Sequence, residues 1–121
     1  MKLLIVDDSN IMRRAITKYL QNLGLQIVGT ASNGQEALEI FKQTLPDLVT
    51  MDITMPMMDG LTCLTEVLKI KPTTTVIVVS ALADSATGLK ALKLGAKAFL
   101  PKPFTEDQLV EEIRIALGGS E

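Results

Sequence analysis

The chain has 121 residues, no histidine and no tryptophan, one cysteine, one tyrosine and three phenylalanines. Without histidine there is no Ser-His-Asp triad, no imidazole metal site and no imidazole acid–base chemistry. A lone Cys63 excludes an intramolecular disulfide and a thiolate-rich zinc site. Charge of one sign is also scarce. Twelve Lys and Arg stand against fourteen Asp and Glu, a net charge of −2, which argues against a nucleic-acid surface. The longest apolar runs, such as 3–6 and 76–79, fall far short of the ~20 residues of a membrane span. Met1 and Lys2 lead straight into Leu3, without a signal-peptide core ending at a cleavage site. A soluble, cytoplasmic protein is expected. What chemistry it has rests on Asp, Glu, Lys, Ser and Thr.

What is present is ordinary globular composition, 47% hydrophobic and 21% charged. One domain, 1–121, is the expectation for this length. It should bury about two thirds of its unfolded surface, enough to fold without staples. Short β-branched, apolar runs recur at 3–6, 26–31, 48–51, 76–79 and 98–100. Several are apolar without alternation, as strands covered on both faces are.

Helical patterns fill the intervals. Ile11, Met12, Ala15, Ile16, Tyr19, Leu20 and Leu23 form a stripe at 3.6 spacing, with Ser9 as N-cap and Gly24 as stop. Ala37, Leu38 and Phe41 mark a second helix, opened by a Ser32–Gln35 capping box and closed before Pro46. Leu61, Leu64, Val67 and Leu68 mark a third, ending before Pro72. Ala86, Leu89, Ala91, Leu92 and Leu94 mark a fourth, ending at Gly95. Thr105 and Gln108 cap the last, which Leu109, Val110, Ile113 and Leu117 carry to Gly118 and Gly119. Alternating strands and helices imply an α/β fold, (βα)5, with a parallel sheet and right-handed crossovers.

In such a sheet, ligands bind beyond the carboxyl ends of the strands. Asp7 and Asp8 follow the first strand, Ser32 and Asn33 the second, Asp52 the third, Ser80 the fourth and Lys102 the fifth. Taken singly, an Asp there is a turn or helix cap and a Lys is a solvated side chain. Together they place three carboxylates, a hydroxyl and an ammonium at one sheet edge. Carboxylates so clustered need a proton or a cation, and oxygen donors with waters suit Mg²⁺. One carboxylate oxygen would then attack a phosphorus centre, with Lys102 and the metal holding charge on the phosphoryl oxygens and Ser80 donating a hydrogen bond.

Four motifs carry a resemblance across essentially the whole chain. They are Leu4-Ile5-Val6-Asp7-Asp8-Ser9, Met51-Asp52-Ile53-Thr54-Met55-Pro56 with Asp59-Gly60, Val78-Val79-Ser80-Ala81, and Lys102-Pro103-Phe104. In this order and spacing the sequence resembles the receiver domains of bacterial two-component response regulators, of the chemotaxis, CheY-like type. The resemblance implies a doubly wound, flavodoxin-like sheet of order 2-1-3-4-5. It makes Asp52 the phosphoryl acceptor, Asp8 a direct Mg²⁺ ligand, Asp7 a ligand mainly through water, and the Thr54 carbonyl the last protein ligand. Lys102 would pair with the acyl phosphate, Ser80 would be the switch hydroxyl and Phe99 the switch aromatic. Pro56, Gly60 and Ala81 would shape the site loops, and the Lys102–Pro103 bond would be cis.

By the same resemblance a histidine kinase donates the phosphoryl group. A downstream protein reads the face formed by the fourth helix, fifth strand and fifth helix. The domain would be a signalling protein, catalysing only its own phosphorylation and dephosphorylation, and a monomer or a weak phosphorylation-dependent dimer, with no nucleic acid or membrane as direct partner. A stand-alone regulator is expected, with the receiver of a longer protein as the alternative. Leu82 cannot hold an attacking water by hydrogen bonding, so slow self-dephosphorylation is expected.

Competing classes fit less well. An Asp-nucleophile phosphatase usually carries a second Asp two residues after the nucleophile, where Thr54 stands. A flavin carrier needs a phosphate loop that Asp7 and Asp8 would repel, and aromatics the chain lacks. A receiver that binds its partner constitutively would not need the phosphorylation residues present here. Met51, Met55, Met57 and Met58 admit two readings, an adaptable docking surface or plain strand core and loop filling. Lys90, Lys93 and Lys97 would meet an acidic partner or form a solvated helix face.

Overall fold

In the computed structural model, residues 1–53, 60–81 and 85–118 are described. Strands β1 (Lys2–Val6), β2 (Gln26–Ala31), β3 (Leu48–Asp52), β4 (Thr75–Ser80) and β5 (Ala98–Pro101) alternate with helices α1 (Asn10–Leu20), α2 (Gly34–Thr44), α3 (Gly60–Ile70), α4 (Ser85–Lys93) and α5 (Glu106–Ala116). The strands pair in parallel in the order β2-β1-β3-β4-β5. The fold class read from the sequence therefore stands, including the strand order that came with the resemblance.

The central strands are apolar because both sheet faces are covered. Leu4, Val6, Val49, Met51, Val76 and Val78 pack one face against Ala37 and Phe41 of α2, Cys63, Leu64 and Val67 of α3, and Ala91 of α4. Leu3, Ile5, Leu48, Ile77 and Val79 pack the other against Ile16 and Leu20 of α1 and Leu109 and Ile113 of α5. Alternation along each strand divides the two sets. The β1–β2 register shifts between Leu3 and Leu4, so edge strand β2 carries an irregularity at Val28.

Three helix readings need correction. The α2 cap is Asn33, one residue later than the expected Ser32–Gln35 box. Its side chain accepts from the Glu36 amide at 2.8 Å, while Glu36 reaches back to the Ser32 amide. At α1, the α-helix stops at Leu20 and a 3-10 turn covers Gln21–Leu23 before Gly24 enters the left-handed region at φ 72°. Ile11 and Leu23 of the predicted stripe lie outside the core, Ile11 at 80% exposure. Leu89 and Leu92 of α4 and Leu94 just beyond it are exposed, and among the helix residues whose burial is described Gly88 and Ala91 are the buried ones. The leucine spacing marks a face, but no element among the described residues covers it. The other caps lie as expected, Ser9 accepting from the Met12 amide and Thr105 with Gln108 forming a reciprocal box. Gly118 takes φ 85° after α5, and Gly119 lies outside the described residues.

Candidate functional site

The carboxyl ends of β1, β3, β4 and β5 converge because three of these strands neighbour β3 or its partner in one sheet. Asp7 follows β1 directly, and its amide donates to the Ala31 carbonyl at 3.0 Å, extending the β1–β2 ladder by one bond. Asp7 is wholly buried and Asp52 is 2% exposed, whereas Asp8 is open to solvent. One carboxylate oxygen of each of Asp7, Asp8 and Asp52 lies within 4.8 Å of the others. At that spacing two ionised carboxylates repel by about 3 kcal/mol at an effective dielectric near 20.

Lys102 meets that repulsion in part. Its ammonium donates to Asp7 Oδ2 at 2.8 Å and to Asp52 Oδ2 at 3.2 Å, and the side chain is only 15% exposed. Backbone geometry aims it there. The Lys102 amide donates to the Ser80 carbonyl at 2.7 Å, fixing the chain beyond β5 to the end of β4. The Lys102–Pro103 bond is cis. Burial alone would lower the Lys102 ammonium, but the hydrogen bond to Asp7 and the charges of Asp52 and Asp7 outweigh it and hold it above its ordinary value. Asp7 is pushed up, chiefly by burial, against the pull of Lys102 and of the Ser9 amide that it accepts at Oδ1. One ammonium among three carboxylates leaves room for a further cation.

The donors fit a hard divalent ion. All are oxygens, one is open to water, and their separation matches ligand atoms sharing one centre. Ser80 ends β4 fully buried, paired with Pro101 of β5. Phe99 pairs with Val78 on the same ladder and packs against the α2–α3–α4 side of the sheet. By alternation Ser80 shares that sheet face, one pleat along. Ala81 is exposed and small, and Pro103 is exposed. Thr54, Pro56 and Leu82, with Met55, Met57 and Met58, lie outside the described residues.

Gly60 shows why this position has no side chain. A Cβ there would collide with the Ile53 Cα and lie 2.5 Å from the Asp52 carbonyl oxygen. The helix thus begins directly on the backbone that carries Asp52, and the Gly60 amide donates to the Ile53 carbonyl at 3.3 Å.

One contributor escaped the sequence reading. Arg13, one turn into α1, donates from its guanidinium to the Asp7 carbonyl and, at 3.4 Å, to Asn10 Oδ1. With the Ser9 amide on Asp7 and the Arg13 amide on the Ser9 carbonyl, the turn that presents Asp8 is tied at both ends. The signal was available. No acidic residue stands in the first turn of α1 to pair with Arg13, a cation set just beyond that turn, near the positive end of the helix dipole. Such a residue needs a local reason, and the Asp7 carbonyl is that reason.

Comparison with known proteins agrees with this geometry. The response regulator receiver domain model matches residues 3–114. The chain is 43% identical over 112 residues to the chemotaxis protein CheY of Thermotoga maritima, covering 93% of each. It is 43% identical over 116 residues to the chemotaxis protein CheY of Bacillus subtilis, covering 96% of this chain and 97% of the relative. Among solved structures it matches a chain of the CheX-CheY-BeF3-Mg complex of Borrelia burgdorferi at TM-score 0.93 and 34% identity, covering 97% of this chain and 89% of that one.

Proposed function

The chain belongs to the response regulator receiver domain family, and from that membership we propose that it acts as a single receiver domain that takes a phosphoryl group onto Asp52. The observation that carries this reading is the Lys102 ammonium shared between the buried Asp7 and Asp52 carboxylates, with Asp8 in the same cluster. An Asp52 carboxylate oxygen forms a bond to phosphorus as the bond to the donor nitrogen of a kinase phosphohistidine breaks. The leaving imidazole then takes up a proton. Lys102 shifts from neutralising two carboxylates to holding charge on the phosphoryl oxygens, and Ser80 donates a hydrogen bond to them. Asp8, Asp52 and, mainly through water, Asp7 would hold Mg²⁺, with the Thr54 carbonyl completing the protein ligands. Bound there, the ion supplies the positive charge that the carboxylates and the incoming phosphoryl group require.

Phosphorylation adds about −1.5 to −2 charges and three acceptor oxygens at a buried edge of the sheet. Ser80 moves toward them, Phe99 follows, and the α4–β5–α5 face changes for its protein target. A pair of pre-existing forms shifts in population, and moving it from 1:99 to 99:1 needs about 5.5 kcal/mol of preference. The match to nearly the full length of chemotaxis regulators supports a stand-alone, cytoplasmic regulator served by a histidine kinase. No described helix is long and apolar enough to cross a membrane.

Intact mass after incubation with acetyl phosphate and Mg²⁺ tests the acceptor. One phosphoryl adduct is expected in the wild type, lost on chelation and absent from Asp52→Asn. An adduct of equal yield in Asp52→Asn places the acceptor elsewhere.

A further inference from the structure

The unusual residue of the output face is Gly88. It lies in the body of α4, where glycine costs about 1 kcal/mol relative to alanine. It is not there for a turn, since its φ is not in the left-handed region. It is buried, and what fills the space of its missing side chain is the ring of Phe99. A Cβ at Gly88 would stand 3.0, 3.2 and 3.3 Å from ring atoms Cδ2, Cγ and Cε2. Carbon pairs prefer about 3.5–4.0 Å, so ring and methyl cannot both keep these places.

The neighbours make this contact consequential. With Leu89 and Leu92 exposed, α4 meets the sheet through Gly88 and Ala91. An open groove of about 510 Å³ lies beside the contact, lined by Leu89, Leu92, Ala98 and Phe99 with Lys97 and Glu112. The ring therefore has free space on the solvent side and the Ser80 end of the sheet face on the other. A Cβ at those distances makes the ring give by a few tenths of an ångström, toward the open groove or along the sheet face toward Ser80.

We propose that Gly88 is the seat of the Phe99 ring in the resting protein and sets how far the ring, and with it the α4–β5–α5 face, responds to phosphorylation. This rests on the switch reading above. A methyl group at Gly88 shifts the ring in its seat by a few tenths of an ångström before any phosphoryl group arrives, and the remaining response shrinks.

The test uses the whole chain labelled with 4-fluorophenylalanine, the Phe99 resonance being assigned by its loss in Phe99→Leu. In Gly88→Ala the resting Phe99 resonance is expected to move toward its position in the phosphorylated wild type. The further change on adding acetyl phosphate and Mg²⁺ should fall at least twofold, while the mass adduct on Asp52 persists. A resting resonance that coincides with the wild type overturns the proposal, as does an undiminished response. Absence of the adduct from the wild type overturns the switch reading, and the proposal with it. Thermal stability gives a second, independent reading. Alanine favours the helix, so Gly88→Ala should raise Tm by about 3 °C more in a Phe99→Leu background than in the wild type, because only the wild type carries the clash. Equal shifts in the two backgrounds overturn the seat.

Discussion

At the scale of the residue, Thr50 is the least expected feature of the core. It sits in the middle of β3 between Ile5 and Ile77 of its neighbours, fully buried. Its hydroxyl is the buried side-chain oxygen among the described residues that has no hydrogen-bond partner. Leaving such a group unpaired costs about 1–3 kcal/mol, whereas the hydroxyl-free shape costs nothing of the kind. Thr50→Val is therefore expected to stabilise the fold by about 1 kcal/mol, read as a higher urea midpoint at unchanged slope. An unchanged or lower midpoint would mean the hydroxyl is satisfied in solution. The same scale shows how narrowly the site is built. Gly60 gives Asp52 and Ile53 their backbone room, and Arg13 holds the carbonyl of Asp7.

At the scale of the element, helix ends and helix faces carry different information. The α2 cap turns on one residue. Both Ser32 and Asn33 are good N-caps by chemistry, but only Asn33, at φ −156° and ψ 169°, places its side-chain oxygen on the Glu36 amide. Asn33→Ala is expected to cost about 1 kcal/mol and Ser32→Ala less than about 0.5 kcal/mol, measured by chemical denaturation. The reverse order would restore the earlier register. For α4, periodicity shows which leucines share a face. Whether a second element covers that face is a question of layers, and α4 lies over edge strand β5, where the sheet ends.

At the scale of the molecule, the end of the sheet opposite the site is tied by Asp47. Its carboxylate accepts from the Lys2 amide at 2.9 Å and from Lys71 at 3.0 Å. Its own amide and carbonyl join Lys2 and Thr75, so the starts of β1, β3 and β4 meet at one residue. The Lys2 amide first, and Lys71 after it, hold this carboxyl below its ordinary value of 3.8. A lowered carboxyl contributes stability above its unfolded value and loses it as pH falls through the folded one. The carboxylate is partly exposed, so the contribution is screened and stays below about 1 kcal/mol. Asp47→Asn is expected to lower Tm by a few degrees at neutral pH, with the gap closing as pH drops below 3.8. A gap that persists in acid would show that shape, and not charge, sets the tie.

The sequence by itself determined the element types, their order and which residue stands at each strand end. These depend on near neighbours: apolar runs, 3.6 spacing, Ser9, Thr105 and the prolines that stop helices. The four motifs also picked out Asp52, the acidic pair Asp7 and Asp8, Ser80 and Lys102. Tertiary structure alone decided how these groups meet. Lys102 reaches Asp7 across 95 positions of chain and Asp52 across 50. Arg13 grips a backbone carbonyl, a partner with no signature in the sequence. Gly88 and Phe99 share one space, and the leucines of α4 are left uncovered. Pattern fixes what a segment is, but only the packed sheet fixes what each side chain faces, because that depends on elements far along the chain.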